Sequence, residues 1–164
     1  MLEMKTPLSD AKFEAEGISL RELPDFTLTL YAGSANNLRR EVGELPDFGV
    51  SRREKKNTLF RIAPEQVLVL GPELDPRLCA ATPLSSARCR IEVSGTKARA
   101  LLAACAAVDF STKAFGPKAF ALTGIHHTPV LIHALPEDIF HIYGLRTFAH
   151  ALWDWLVDAA QGLR

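Results

Sequence analysis

The chain has 164 residues, a length typical of one domain that buries roughly 70% of the surface its unfolded form exposes. Lysine plus arginine equals aspartate plus glutamate, at 19 each, so the overall charge favours neither nucleic acid nor an acidic membrane surface as a partner. The apolar fraction of 48% is that of a globular protein and excludes a disordered chain.

The N-terminal segment does not have the pattern of a targeting signal. Residues 1–13 mix charged side chains with a proline and contain no apolar run, which argues against a signal peptide or membrane anchor. A cytoplasmic protein is the simplest expectation. Because residues 1–16 also lack periodicity, we expect a flexible tail there, followed by a single domain over residues 17–164.

The first half of the chain predicts strands with one short helix. Apolar and polar residues alternate in each predicted strand, and turn residues separate them. The predicted elements are strands at 18–20 and 26–31, a helix over 37–42 between Ser34 and Gly43, and a hairpin of 58–62 with 66–70. Residues 46–57 hold the basic run Arg52 to Lys56 and are predicted to be a solvated loop.

The second half predicts a strand over 88–93, a helix opened by Ser94-Gly95-Thr96, and further strands at 119–122, 129–133 and 139–143. Short connections such as residues 134–138 require antiparallel neighbours. The expected fold class is therefore α+β, a mostly antiparallel sheet with a few packed helices.

Residues beyond Gly144 predict a C-terminal helix with two apolar stripes. The broad stripe, expected to face the core, contains Leu145, Phe148, Ala149, Leu152, Trp155, Leu156, Ala159 and Ala160. The second stripe runs along the flank and contains Arg146, His150, Trp153 and Val157. This pattern places Trp155 inward and Trp153 on the flank, so Trp155→Ala should cost about 3–5 kcal/mol while Trp153→Ala spares the fold.

No sequence pattern points to a reacting group. The dinucleotide, phosphate-loop and nucleophile-elbow motifs are absent. Cys79, Cys89 and Cys105 lack C-x-x-C spacing and are expected to be reduced thiols, the last two in the core. We therefore predict no catalytic, cofactor-binding or metal-binding residue.

The histidines leave one alternative open. Imidazole binds metals and titrates near neutrality, and His133 and His141 could face each other across a hairpin. A zinc hydrolase site could be drawn from them with His127 and a carboxylate, although no typical zinc spacing supports it. The pair His126-His127 is better interpreted as a turn between strands.

Several short patterns occur together in a specific order. They are Gly43-Glu44-Leu45-Pro46, the hairpin over 58–70, Arg90-Ile91-Glu92-Val93-Ser94-Gly95, Asp109-Phe110, and Arg146-x-Phe148-Ala149-x-x-Leu152-Trp153-x-Trp155-Leu156. In this order they resemble the gamma subunit of heterotetrameric sarcosine oxidases, over residues 17–160. The chain departs from that family at Ala63, where glycine is usual, and at the turn Ser85-Ser86-Ala87.

The resemblance implies a fold like the folate-binding module of the glycine-cleavage T-protein. It also implies a small non-catalytic subunit with alpha, beta and delta subunits as partners. FAD, FMN, NAD and tetrahydrofolate would be held by those partners and none by this chain. The complex would oxidatively demethylate sarcosine or another N-methyl amine and pass the one-carbon unit to tetrahydrofolate.

The flank stripe is the candidate partner interface. Trp and Arg are enriched at binding hot spots, which favours Arg146, His150, Trp153 and Val157 as contact residues. Alone, the chain could form a homo-oligomer, because a neutral net charge protects poorly against association. The alternative function is a free-standing folate-binding accessory protein or an aminomethyltransferase-like protein, which would need a polar pocket for a pterin and a glutamate tail.

Overall fold

A computed structural model describes residues 6–75 and 77–163 of the chain. Within these residues it contains eleven strands and three α-helices. The strands are β1 (Lys12–Ala15), β2 (Ile18–Glu22), β3 (Leu28–Ala32), β4 (Arg52–Glu54), β5 (Asn57–Ala63), β6 (Gln66–Leu70), β7 (Ala80–Pro83), β8 (Arg88–Ser94), β9 (Phe120–Ile125), β10 (Thr128–Ala134) and β11 (Phe140–Leu145). The helices are α1 (Ala35–Val42), α2 (Ala98–Cys105) and α3 (Ala149–Gly162). None of the described helices combines the length and the apolar character needed to span a membrane.

The strands form two sheets in which neighbouring strands are antiparallel. One sheet has six strands in the order β1-β2-β8-β11-β10-β9, and the other has five in the order β4-β5-β6-β3-β7. Three apolar clusters separate four layers: α2 and α3, the six-stranded sheet, the five-stranded sheet, and α1. This arrangement confirms the predicted α+β class with mostly antiparallel pairing.

The helix-side cluster fills the space between the six-stranded sheet and the helices α2 and α3. Leu102 of α2 and Leu156 of α3 are fully buried with Ile132 and Phe140 of the sheet. A Cβ atom on Gly144 would lie 2.7 Å from Leu152 Cδ2, so a larger residue at this position would require the end of the Leu152 side chain to shift.

The inter-sheet cluster joins the two sheets. It contains Leu28, Phe60 and Leu68 from the five-stranded sheet and Phe120, Leu131 and Tyr143 from the six-stranded sheet. On the outer face of the five-stranded sheet, Leu38 and Val42 of α1 complete the third cluster. Ser34 Oγ accepts a hydrogen bond from Asn37 N at 3.3 Å, which confirms Ser34 as the predicted N-cap of α1.

The prediction of a flexible tail over residues 1–16 is wrong for the part that the structure describes, because that part contains a strand of the six-stranded sheet. β1 pairs with β2, and Leu8 is buried in the helix-side cluster. The carboxylate of Glu22 accepts hydrogen bonds from Leu8 N at 3.0 Å and from Asp10 N at 2.8 Å. A four-residue edge strand is too short to show a period, and nothing in the sequence indicates this anchoring by Glu22. Residues 1–5 of the predicted tail lie outside the described residues.

The predicted loop over residues 46–57 is also partly wrong, because it contains β4. Lys55, with φ of 53°, and Lys56 form the turn that pairs β4 with β5. Arg52 and Arg53 are nevertheless exposed, as expected for a solvated basic run. Strand β7 was not predicted. The turn at His126-His127 is confirmed between β9 and β10.

Candidate functional site

Helix α3 buries the centre of the predicted core stripe but exposes one of its edges. Its buried residues are Ala149, Leu152, Leu156 and Ala160, and Trp153 and Val157 are partly buried against the same cluster. Trp155 is 40% exposed and Phe148 is 49% exposed. The assignment of Trp155 to the core and Trp153 to the flank is therefore wrong, and the two residues exchange roles.

The physical reason is that apolar residues border both sides of the α3 core stripe. Leu152 and Leu156 lie at its centre, with Trp153 on one side and Trp155 on the other. Hydrophobicity alone cannot choose between two such edges. The choice is made by the position of α3, which packs against α2 and β11.

The four residues of the predicted interface do not share one environment. Arg146 and His150 are exposed, whereas Trp153 and Val157 pack against the helix-side cluster. Arg146 and His150 are therefore surface residues, whereas Trp153 and Val157 are half-buried.

An exposed aromatic surface lies instead on the other side of α3. The rings of Trp155 and His126 stack with centroids 4.4 Å apart and planes inclined by 20°. Phe148 precedes Trp155 by seven residues, so both project from similar positions around the helix, with exposed Ala151 between them. We call His126, Phe148, Ala151 and Trp155 the Trp155 surface.

The inter-sheet face of the six-stranded sheet carries one buried and one half-buried histidine. His133 and His141 are opposite each other on β10 and β11, as the sequence predicted. His133 is only 4% exposed, and its ring meets the Phe60 ring edge-on at 4.8 Å. Burial, with a smaller effect from His141, lowers the pKa of His133 to about 4. His133 is therefore neutral at pH 7.

Ser51 and His133 form the pair that most resembles catalytic machinery. Ser51 Oγ and His133 Nε2 share a hydrogen bond of 2.8 Å. A nucleophilic serine must reach its substrate, and its histidine is normally oriented by a third group. The Ser51 side chain is buried, and His133 Nδ1 has no hydrogen-bond partner among the described residues. The pair is better explained as a polar link between the segment before β4 and strand β10.

The second histidine belongs to an ion-pair network. Glu92 Oε1 lies 2.8 Å from Arg21 Nε, and Glu92 Oε2 lies 3.2 Å from His141 Nε2. Burial raises the pKa of Glu92, but the hydrogen bonds and charges of Arg21 and His141 outweigh that effect and lower it. Burial also lowers the pKa of His141, against the opposing effect of Glu92.

The alternative zinc site does not form in the described part of the chain. His133 is bonded to Ser51 and His141 to Glu92, while His127 lies in the β9–β10 turn. No group of three or more potential ligands among His, Cys, Asp and Glu comes together in the described residues. The zinc hydrolase interpretation therefore has no structural basis in those residues.

The cysteines are poorly suited to nucleophilic chemistry. Cys89 is buried, and Cys105 packs against the helix-side cluster, both as predicted. Burial raises the pKa of Cys105 to about 11 and also raises that of Cys89. Burial and the nearby charge of Glu41 raise the pKa of Cys79 as well. All three thiols stay protonated near neutral pH.

Two clefts meet at Arg88. The larger, of about 470 Å³, lies between the sheets and is lined mainly by leucines and aromatic rings. The smaller, of about 290 Å³, is lined by Arg88, Arg90, Arg146 and Ser85 among others. No sequence pattern indicates either cleft, because the walls of both come from strands far apart in the chain.

Comparison with protein-family models and with curated proteins finds no match. Among solved structures, a chain of heterotetrameric sarcosine oxidase from Corynebacterium sp. U-96, solved with pyrrole 2-carboxylate, matches with a TM-score of 0.84 and 19% identity. That match covers 97% of this chain and 95% of the other. Glycine cleavage system aminomethyltransferase T from Bartonella henselae matches with a TM-score of 0.63 and 16% identity, over 86% of this chain and 45% of that protein. This chain thus spans about half the length of the aminomethyltransferase. The two likenesses confirm the expected T-protein-like fold.

Proposed function

We propose that this chain is a small structural subunit of a heterotetrameric oxidase of the sarcosine oxidase type. The observation that carries the proposal is the match to a chain of such a complex, which has a TM-score of 0.84 and nearly complete coverage of both chains. A fold that matches over nearly all of both chains favours an equivalent place in an equivalent assembly. The partners would be the alpha, beta and delta subunits.

In this proposal the chemistry belongs to the partners. They would hold FAD, FMN, NAD and tetrahydrofolate, oxidatively demethylate sarcosine or another N-methyl amine, and transfer the one-carbon unit to the folate. The buried Ser51 hydroxyl and the high thiol pKa values support a non-catalytic role for this chain. Its contribution would be to stabilise the assembly.

The Trp155 surface is the partner-facing region that we favour. Large aromatic side chains that remain exposed on a folded chain are typical of binding hot spots. Trp155 and Phe148 are both more than one-third exposed, and the indole of Trp155 stacks on the His126 ring. The predicted flank stripe of Arg146, His150, Trp153 and Val157 lies on the other side of α3 and would not form the centre of this contact.

Co-expression with the large flavoprotein subunit tests this assignment. We expect the wild-type chain to co-purify with it in a fixed ratio, and Trp155→Ala to weaken the complex at least tenfold, as measured by surface plasmon resonance. Phe48→Ala is the matched control, since Phe48 is an aromatic residue with 56% exposure on the segment before β4. Equal effects of the two variants would contradict the assignment to α3, and no association at all would contradict the subunit role.

A free-standing folate-binding or aminomethyltransferase-like protein is the second candidate, favoured by the likeness to the aminomethyltransferase. The inter-sheet cleft is large enough for part of such a ligand, but its polar lining among the described residues is limited to Arg88, Thr123 and Tyr143. Calorimetry with tetrahydrofolate tests this candidate. Saturable binding in the micromolar range would support it, and no heat at millimolar ligand would exclude it.

A further inference from the structure

The larger cleft has the size and lining of a small-molecule site. Its volume of about 470 Å³ lies within the range of ligand pockets, roughly 300–1,000 Å³. Leu30 and Ile62 contribute to the wall from the five-stranded sheet, and Leu131 and Tyr143 from the six-stranded sheet. Leu122, which is 56% exposed, also lines the cleft and places one side of it at the protein surface. An apolar molecule could therefore enter without unfolding either sheet.

Arg88 gives this apolar cleft a charged end. Along β8 the buried Cys89, Ile91 and Val93 face the helix-side cluster. Side chains alternate along a strand, so Arg88 projects toward the opposite, inter-sheet side. None of the described residues that line the larger cleft is acidic, and Arg88 is its sole charged residue.

The adjoining smaller cleft reinforces the positive charge at Arg88. Arg90 and Arg146 line it together with Arg88. It also contains Glu22 and Asp25, and the Glu22 carboxylate accepts three hydrogen bonds from the segment of residues 6–10, with donor–acceptor distances of 2.8 to 3.0 Å. Three arginines against two carboxylates leave one excess positive charge around the smaller cleft, which favours an anion at its junction with the larger one.

From this arrangement we propose that the inter-sheet cleft binds an amphipathic monocarboxylate, with its apolar body between the sheets and its carboxylate on Arg88. A guanidinium stays protonated and can hold a carboxylate through two parallel hydrogen bonds. A cationic ligand would meet like charge at this end. A strongly polar ligand would leave its own groups without partners along the leucine-lined wall. This inference does not depend on the proposed subunit role.

Calorimetry on the full chain with three ten-carbon probes tests the site: decanoate, decanol and decylammonium at monomeric concentrations. We expect decanoate to bind with one molecule per chain, decanol to bind about tenfold more weakly, and decylammonium to bind more weakly still. A charge-assisted hydrogen bond of about 1.5 kcal/mol corresponds to that tenfold difference.

Variants separate the charged end from the apolar wall. Arg88→Gln should remove the preference for decanoate over decanol, and Arg88→Lys should keep part of it. Arg40→Gln is the matched control, because Arg40 is an exposed arginine on α1 that lines neither cleft. Leu30→Phe adds volume inside the cleft and should weaken decanoate and decanol binding by similar factors.

Three results would overturn the proposal: no saturable decanoate binding at millimolar concentration, a decanoate preference that survives Arg88→Gln, or equal binding of decylammonium. Circular dichroism melts show whether each variant is folded. If Leu30→Phe does not fold, the comparison of the Arg88 and Arg40 variants still decides the outcome.

Discussion

The two faces of the six-stranded sheet differ sharply. The face toward α2 and α3 is apolar and closely packed, with Ile91, Ile132 and Phe140 fully buried. The face toward the second sheet carries Glu92, His133 and the larger cleft. The first face stabilises the fold by burying apolar side chains, whereas the second face contains buried polar groups and borders an open cleft. We therefore expect substitutions on the first face to act on folding and those around the second to act mainly on pH dependence and binding.

The largest effect should come from truncating the helix-side cluster. Leu156→Ala removes a fully buried side chain and leaves a cavity, so it should lower the free energy of unfolding by about 3–5 kcal/mol. Leu122→Ala at the mouth of the cleft is the matched control, because that leucine is mostly exposed, and it should cost less than about 1 kcal/mol. Urea unfolding measures both, and a larger loss for Leu122→Ala would reverse the comparison.

His133 should make the second face sensitive to acid. Its pKa is about 4 in the folded chain and 6.5 in the unfolded one, so the unfolded state gains a proton first as the pH falls. The contribution of neutral His133 to the free energy of unfolding is therefore fully present above pH 6.5. It is lost as the pH falls from 6.5 to 4, by about 3 kcal/mol in total. Urea unfolding across this range measures the loss.

A variant isolates His133 from the other groups that titrate in the same range. His133→Gln keeps a polar partner for Ser51 but cannot titrate, so it should reduce the slope of stability against pH between 6.5 and 4. His150→Gln is the control, since His150 is an exposed histidine on α3. An unchanged slope in His133→Gln would show that the folded-state pKa is not depressed.

The two tryptophans test how α3 divides between the core and the surface. Trp153→Ala should destabilise the isolated chain by about 2 kcal/mol, because its side chain is partly buried against the helix-side cluster. Trp155→Ala should cost about 1 kcal/mol or less, since it removes an exposed ring stacked on His126. Thermal unfolding of the isolated chains provides the measurement. A larger destabilisation by Trp155→Ala than by Trp153→Ala would support the α3 orientation that the sequence predicts.

The smallest effect is expected at the Arg21–Glu92 ion pair. The Arg21 side chain is about half exposed, so Arg21→Ala should change the stability at pH 7 by less than about 1 kcal/mol. Chemical unfolding at low and high salt would check this. A loss of several kcal/mol would mean that Arg21 is needed to offset the cost of burying the Glu92 carboxylate.

The sequence was most informative where a residue's neighbours are local. The Ser34 cap, the strands with alternating burial such as β2, and the hairpin that pairs His133 with His141 follow from short-range patterns. The anchoring of residues 6–15 and the link from Ser51 to His133 depend on residues far apart in the chain, and no periodicity reports them. The predicted orientation of α3 is wrong for a third reason. Trp153 and Trp155 border the same core stripe on opposite sides, so the sequence does not show which of them is buried.

Native mass spectrometry of the chain co-expressed with its proposed flavoprotein partners tests whether the chain is a subunit of their complex. We expect one assembly that contains a single copy of this chain, together with the flavin carried by the partner. The same assembly should lose this chain selectively in the Trp155→Ala variant and retain it in Phe48→Ala. A chain that stays separate from the flavoprotein under all conditions would contradict its role as a subunit.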